Sequence, residues 1–140
     1  MAQLTGKTII ITGSSRGVGA DTAQILAAEG ANIVVNYRSK APRANKIVKA
    51  IEEAGGKAIA VQADVTNNED LQNLVNTAVE TFGSLDYLIL NASGGMESGM
   101  GEDYAMRLNR DAQLNLARLA AEKMPEGARI VFCLLYTSDA

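Results

Sequence analysis

Gly13, Gly17 and Gly19, set around Ser14, Ser15, Arg16 and Val18, form the first run in the chain whose spacing suits a chemical task. The run follows an apolar β-branched stretch and opens a helical pattern. A diphosphate binds well in that setting, because a helix start offers unpaired amide donors and the positive end of its dipole. Glycine at 13, 17 and 19 keeps side chains out of the approach and permits backbone angles that other residues avoid. A tight strand-to-helix turn is the plainer reading of the same glycines. The position between a strand and a helix favours nucleotide binding. A phosphate loop ending in Gly-Lys-Ser/Thr is excluded, since that triplet does not follow at the required spacing.

Other chemistries are closed by composition. The 140-residue chain contains no His, so a Ser-His-Asp triad and His ligation of a metal are both excluded. Its single Cys forms no internal disulfide and no Cys-rich zinc site, which makes a reducing compartment the default. No metal site is expected. Thirteen Lys and Arg against sixteen Asp and Glu give a net charge of -3, with no basic run for nucleic acid. No apolar stretch approaches the roughly 18 residues of a membrane span. The run Ile9-Ile10-Ile11 lacks the basic flank and length of a signal peptide. A soluble, cytoplasmic protein of one domain is the expectation.

The elements that must position the glycine run are legible from periodicity. Strands are predicted at 8–12, 33–35, 58–61, 87–90 and 129–132, nearly continuous in apolar residues, as in a parallel sheet covered on both faces. Between them the period becomes helical. Ala44, Ile47, Val48 and Ile51 share one face, as do Leu71, Leu74, Val75, Ala78 and Phe82. In the first helix, Val18, Thr22, Ile25 and Leu26 are read as the inner face. Thr66 and Glu69 have the spacing of a capping box, and Pro42 suits a first helical turn. Gly30, Gly55 and Gly83 sit where helices end. Alternating strands and helices predict an α/β fold, a parallel sheet with helices on both faces.

The spacing Thr-Gly-x-x-x-Gly-x-Gly resembles the short-chain dehydrogenase/reductase family. Further matches fall in family order: Asp64-Val65 after strand three, Leu90-Asn91-Ala92-Ser93 after strand four, and Asn109 in helix four. The resemblance covers Thr5 to about Phe132, roughly the first half of such an enzyme. It implies a Rossmann-type, doubly wound parallel sheet in the order 3-2-1-4-5, truncated after strand five. It also implies that Gly13 to Gly19 hold the diphosphate, that Asp64 and the Val65 backbone meet the adenine, and that Asn91, Ala92 and Ser93 lie beneath the nicotinamide half. Ser93 stands where the family usually has glycine. Asn109 falls at the place of the family's active-site Asn. Each position also has a plain structural reading: Asp64 as a turn former, Asn91 as a brace for the sheet, Asn109 as a polar helix residue.

Within that resemblance, the stretch Asn36-Tyr37-Arg38-Ser39-Lys40 bears on coenzyme choice. An NAD-specific site usually has an acid here to accept from the ribose hydroxyls. This stretch has none, and offers Tyr37, Arg38 and Ser39 instead. Arg38 with Arg16 suits a 2′-phosphate, since guanidinium groups bind phosphate with paired, directed hydrogen bonds. NADP(H) is therefore favoured over NAD(H), the alternative being that Arg38 and Lys40 form a solvated loop.

The family's proton-transfer set is missing. Its Ser and Tyr-x-x-x-Lys lie beyond strand five. Tyr136 comes too early and is followed by Ala140 at the Lys position, and Ser138 comes too late. Residues 133–140 can be encoded by a sequence resembling read-through into the mosaic-end adapter of transposase-based libraries, so they are expected to be non-native. Residues 1–132 are then an incomplete NAD(P)-binding domain. Loss of covering partners for strand five and helix four is expected to expose apolar surface. The resemblance implies a small carbonyl or alcohol substrate, hydride transfer, and a homodimer or homotetramer for the full-length protein. Three alternatives remain beside the enzyme: NAD(H) as coenzyme, a non-catalytic nucleotide-binding or regulatory module, and a methyltransferase. The last lacks its usual acid after strand two. The Gly- and Met-rich segment 94–101 reads either as a wall of the nicotinamide site or as a plain loop.

Overall fold

The computed structural model of the protein describes residues 3–91 and 102–133, with the side chains of 102–109 outside that description. Among the described residues five strands and four helices alternate: β1 (Thr8–Ile11), α1 (Gly17–Ala28), β2 (Asn32–Tyr37), α2 (Ala41–Glu53), β3 (Lys57–Gln62), α3 (Asn68–Phe82), β4 (Tyr87–Leu90), α4 (Glu102–Ala121) and β5 (Arg129–Phe132). All pairings are parallel and the order is β3-β2-β1-β4-β5. Ile10 stands opposite both Val34 and Leu88, which puts β1 at the centre.

The strand interiors are mainly apolar because successive side chains enter two different cores. Ile9, Ile11, Ile33 and Val35 pack on one face with Ala23 and Ala27 of α1 and Ala44 and Ile51 of α2. Ile10, Val34, Leu88 and Leu90 pack on the other with Leu71, Leu74, Val75 and Ala78 of α3 and Leu116 and Ala120 of α4. Each buried Ile or Leu contributes about 1.5–3 kcal/mol of transfer free energy. Gly30, Gly55 and Gly83 take positive φ after their helices, and Pro42 occupies the first turn of α2. β5 is less covered: Val131 and Phe132 are exposed, as is Leu114 on α4.

Two local expectations are corrected. Val18 and Ile25 point outward, 67% and 64% exposed, and the buried face of α1 is Gly19, Ala20, Ala23 and Ala27. These small residues have the same helical period in a different phase. They prevail because α1 lies so close to the sheet end that larger side chains do not fit beneath it. The cap of α3 is Asn67, not Thr66: Asn67 Oδ1 accepts from the Asp70 amide at 3.0 Å. The Thr66 hydroxyl donates to Asp64 instead, which shifts the helix start by one residue.

At the end of the sheet where the strands begin, Asp86 joins three of them. Its amide donates to Thr8 O, its carbonyl accepts from the Arg129 amide, and its Oδ2 accepts from the Thr8 amide at 2.9 Å and from the Ser84 hydroxyl at 2.9 Å. Thr8 and Asp86 are both buried. Replacing Asp86 by Ala strands the Thr8 amide away from water, at a cost of about 1–3 kcal/mol. A lowered urea-unfolding midpoint checks this, and an unchanged midpoint contradicts it.

Candidate dinucleotide-binding site

The opposite sheet end, where the strands finish, carries the candidate site. The chain runs outward from β1 to β3 on one side, then crosses back to β4 on the other. Ligands of open α/β sheets bind in the crevice created by that reversal. The glycine loop after β1 lies there, and the segments after β2 and β3 border it together with Asn91, which follows β4.

Short hydrogen bonds hold the loop. The Thr12 amide donates to Ile89 O at 3.0 Å, and the Thr12 hydroxyl accepts from the Asn91 amide at 2.9 Å. β1 and β4 are thereby clamped just before the loop departs. Gly13 has φ +65° and its amide donates to Asn36 Oδ1 at 3.0 Å. Ser14 is wholly buried: its hydroxyl donates to Ile11 O at 2.7 Å and accepts from the Asn36 amide at 3.1 Å. Ser15 is half-buried, and Arg16, Gly17 and Val18 are exposed.

The start of α1 is bare. Arg16 is its N-cap residue and makes no side-chain capping bond, and no acid lies in the first turn. Gly17 has φ +61°, with open space where a Cβ would stand. α3 is built differently, with Asn67 capping it and Glu69 and Asp70 in its first turn. The free amides at the head of α1 therefore suit an external anion. Gly19 serves packing. A Cβ there would lie 2.6 Å from Asn91 Nδ2, 2.6 Å from Gly13 O and 2.9 Å from Ser14 Cα. Asn91 Nδ2 itself donates to Gly13 O at 3.3 Å, so it braces the loop.

After β2, Tyr37 is half-buried, and Arg38 and Ser39 are exposed. The Arg38 carbonyl accepts from Gln62 Nε2 at 2.9 Å. After β3, Asp64 Oδ1 accepts from the Thr66 hydroxyl at 2.7 Å and the Thr66 amide at 2.9 Å. Asp64's amide donates to Asp70 Oδ2 at 2.9 Å. The Thr66 hydroxyl, then the Thr66 amide, hold the Asp64 carboxyl below its ordinary pKa; partial burial opposes them, and the Arg38 charge assists. The Val65 side chain turns into the α3-side core.

A depressed pKa means that Asp64 stabilises the fold fully above the unfolded value of about 3.9 and loses that contribution as pH falls through the lower folded value. Asp64→Ala is expected to cost about 1 kcal/mol near pH 7, the net worth of a typical hydrogen bond. The difference from the parent should shrink below about pH 3.9, as read from unfolding midpoints across pH. A difference constant to strong acid contradicts it.

The structure brings together the glycine loop, the ends of β2 and β3, and Asn91. Ala92 and Ser93 lie outside the described residues, as do the segment 94–101 and the tail from 134 to 140. Asn109 belongs to α4, with its side chain outside the description. Two holders of the loop, Thr12 and Asn36, were not among the expected site residues. For Asn36 a signal existed: an amide following Ile33-Val34-Val35 in an otherwise apolar strand. Among the described residues, no group of His, Cys, Asp and Glu forms a metal site. No helix among them is long and apolar enough to cross a membrane.

The site residues fit a dinucleotide, on the bare α1 start, the open space beside Gly17 and the acid-free end of β2. Comparison with known proteins agrees at the level of family. The sequence profile described as short chain dehydrogenase matches residues 7–134. The chain is 52% identical over 89 residues to 3beta-hydroxysteroid dehydrogenase 1 of Eggerthella lenta, covering 64% of this chain and 34% of that protein. It is 38% identical over 145 residues to a probable tetrahydroxynaphthalene reductase of Zymoseptoria tritici, covering 99% of this chain and 54% of that protein. A short chain dehydrogenase of Burkholderia cenocepacia, solved in complex with NADP, superposes with a TM-score of 0.82 at 38% identity, covering 93% of this chain and 56% of that one. The chain thus spans about half or less of the length of these relatives. A central β1, a sheet in the order β3-β2-β1-β4-β5 and a glycine loop at its reversal point accompany those matches, and the chain belongs to the short-chain dehydrogenase/reductase family.

Proposed function

We propose that the chain is the coenzyme-binding part, residues 1–132, of an NADP(H)-dependent oxidoreductase that moves hydride between the nicotinamide and a carbonyl or alcohol substrate. The observation that carries this reading is the uncapped, acid-free start of α1 beside an acid-free β2 end bearing Arg38. The amides at residues 17–19 would hold the diphosphate, with Arg16 and Arg38 on the 2′-phosphate and Tyr37 and Ser39 alongside. Asp64 and the Val65 backbone would border the adenine, and Asn91, Ala92 and Ser93 the nicotinamide half. The bound coenzyme would give hydride to a carbonyl or take it from an alcohol. This chain's residues bind and orient the coenzyme, and Asn109 belongs to the reactive end.

Two relatives support a carbonyl or alcohol substrate, one a 3beta-hydroxysteroid dehydrogenase and the other a probable tetrahydroxynaphthalene reductase by name. The NADP complex of the Burkholderia protein supports the coenzyme preference. Proton transfer falls to residues that follow residue 132 in the whole protein, which we read as a cytoplasmic homodimer or homotetramer. On this reading residues 133–140 are adapter-derived, and genomic DNA past codon 132 continues into Ser and Tyr-x-x-x-Lys.

The test titrates the chain with NADPH and NADH, followed by nicotinamide fluorescence. Saturable binding with NADPH the tighter ligand is expected. Absence of affinity for either coenzyme overturns the proposal. Expression of the continued reading frame with a panel of carbonyl compounds, monitoring NADPH consumption, then identifies the substrate.

A further inference from the structure

We infer that Asn36 is a positioning residue that fixes the diphosphate loop at a set distance from the segments meeting the adenosine half. The inference rests on the dinucleotide reading above. Asn36 is 2% exposed and lies at the end of β2, paired with Val61 of β3. Its Oδ1 accepts from the Gly13 amide at 3.0 Å. Its Nδ2 donates the other way, to Val61 O at 3.3 Å and Ala63 O at 3.2 Å. Its own amide donates to the Ser14 hydroxyl at 3.1 Å, and its carbonyl accepts from the Ser14 amide at 3.1 Å.

Each partner adjoins a segment assigned to the coenzyme. Gly13 and Ser14 begin the diphosphate loop, Asn36 precedes Tyr37 and Arg38, and Ala63 precedes Asp64. A buried amide costs free energy unless both its ends are paired, and here both are. The loop side presents a donor and the β3 side presents acceptors, so the linking side chain must accept at one end and donate at the other. Asn does this at the right length. Leu does neither, and ionised Asp only accepts. At 2% exposure Asn36 has almost no surface to offer a ligand, so it acts through Gly13 and Ala63.

Two variants test the role in the full chain. Asn36→Leu should weaken NADP+ binding about tenfold or more by calorimetry, and its Gly13 amide should lose protection from hydrogen exchange. Asn36→Asp keeps an acceptor for Gly13 but turns an anion on Val61 O and Ala63 O. Burial favours the neutral acid, which regains one donor. Its affinity for NADP+ should therefore recover as pH falls from about 8 to about 5.5, relative to the parent. A group that only stabilises the fold would leave the affinity per folded molecule parental at every pH, so each affinity is corrected for the folded fraction measured by circular dichroism on the same sample. If Asn36→Leu does not fold, the pH profile of Asn36→Asp decides. Parental affinity in Asn36→Leu, or no pH-dependent recovery in Asn36→Asp, overturns the positioning role and leaves the dinucleotide reading standing. Failure of the unsubstituted chain to bind overturns that reading, and this role with it.

Discussion

Gly19→Ala is expected to destabilise the chain by about 3 kcal/mol, the upper part of the usual range for overpacking, and to weaken coenzyme binding about a hundredfold, a difference of roughly 2.8 kcal/mol. The added methyl would stand 2.6 Å from Gly13 O and 2.9 Å from Ser14 Cα, both backbone atoms of the glycine loop. It would also stand 2.6 Å from Asn91 Nδ2. Relief requires α1 to lift from the sheet or the loop to move, and either displaces the amides that would face the diphosphate. Gly17→Ala is the control. Nothing lies within 4 Å of its Cβ position, and the cost there comes from φ +61° alone, about 1–2 kcal/mol of left-handed strain. Thermal unfolding and coenzyme titration of both variants separate clash from strain. A Gly19→Ala chain no less stable than Gly17→Ala contradicts the close approach.

If the proposed NADP(H) preference rests on Arg38, Arg38→Asp should reverse it. A charge-assisted hydrogen bond contributes about 1.5–3 kcal/mol, and the new carboxylate repels the 2′-phosphate besides. NADPH affinity should therefore fall roughly a hundredfold. NADH should change little or gain, because a carboxylate after β2 can accept from the ribose hydroxyls. The exchange also removes the positive charge that helps hold Asp64 ionised and places a like charge nearby. Part of any shared loss for the two coenzymes comes from that. The ratio of the two dissociation constants, measured on one preparation, cancels the shared part. Equal losses for NADPH and NADH remove Arg38 from the 2′-phosphate site.

Much of the architecture was legible because its causes are local or periodic. Ile9-Ile10-Ile11 and Ile33-Val34-Val35 read as strands covered on both faces, and the structure divides them between two cores. Gly30, Gly55 and Gly83 marked helix ends because a left-handed residue there favours glycine. Gly13 and Gly17 marked the loop for the same reason, whereas Gly19 is required by close packing. Leu71, Leu74, Val75 and Ala78 identified the inner face of α3, where bulky apolar residues have nowhere else to go.

Where hydropathy and fit diverged, the sequence misled. Val18 and Ile25 are more hydrophobic than Gly19 and Ala23, yet they lie outside, since the space between α1 and the sheet end admits only small groups. The cap of α3 turned on Thr66 being taken up by Asp64, a competition that spacing does not reveal. Sequence alone determined the strand-helix alternation, the parallel sheet and the glycine loop at its first crossing, since these follow from residue size, polarity and backbone freedom over short spans. Only the tertiary structure decided which face of α1 is buried, and that Asn36 links Gly13 to Val61 and Ala63. Those contacts join residues far apart in the chain, and they exist only once three parallel strands have brought their ends to one edge.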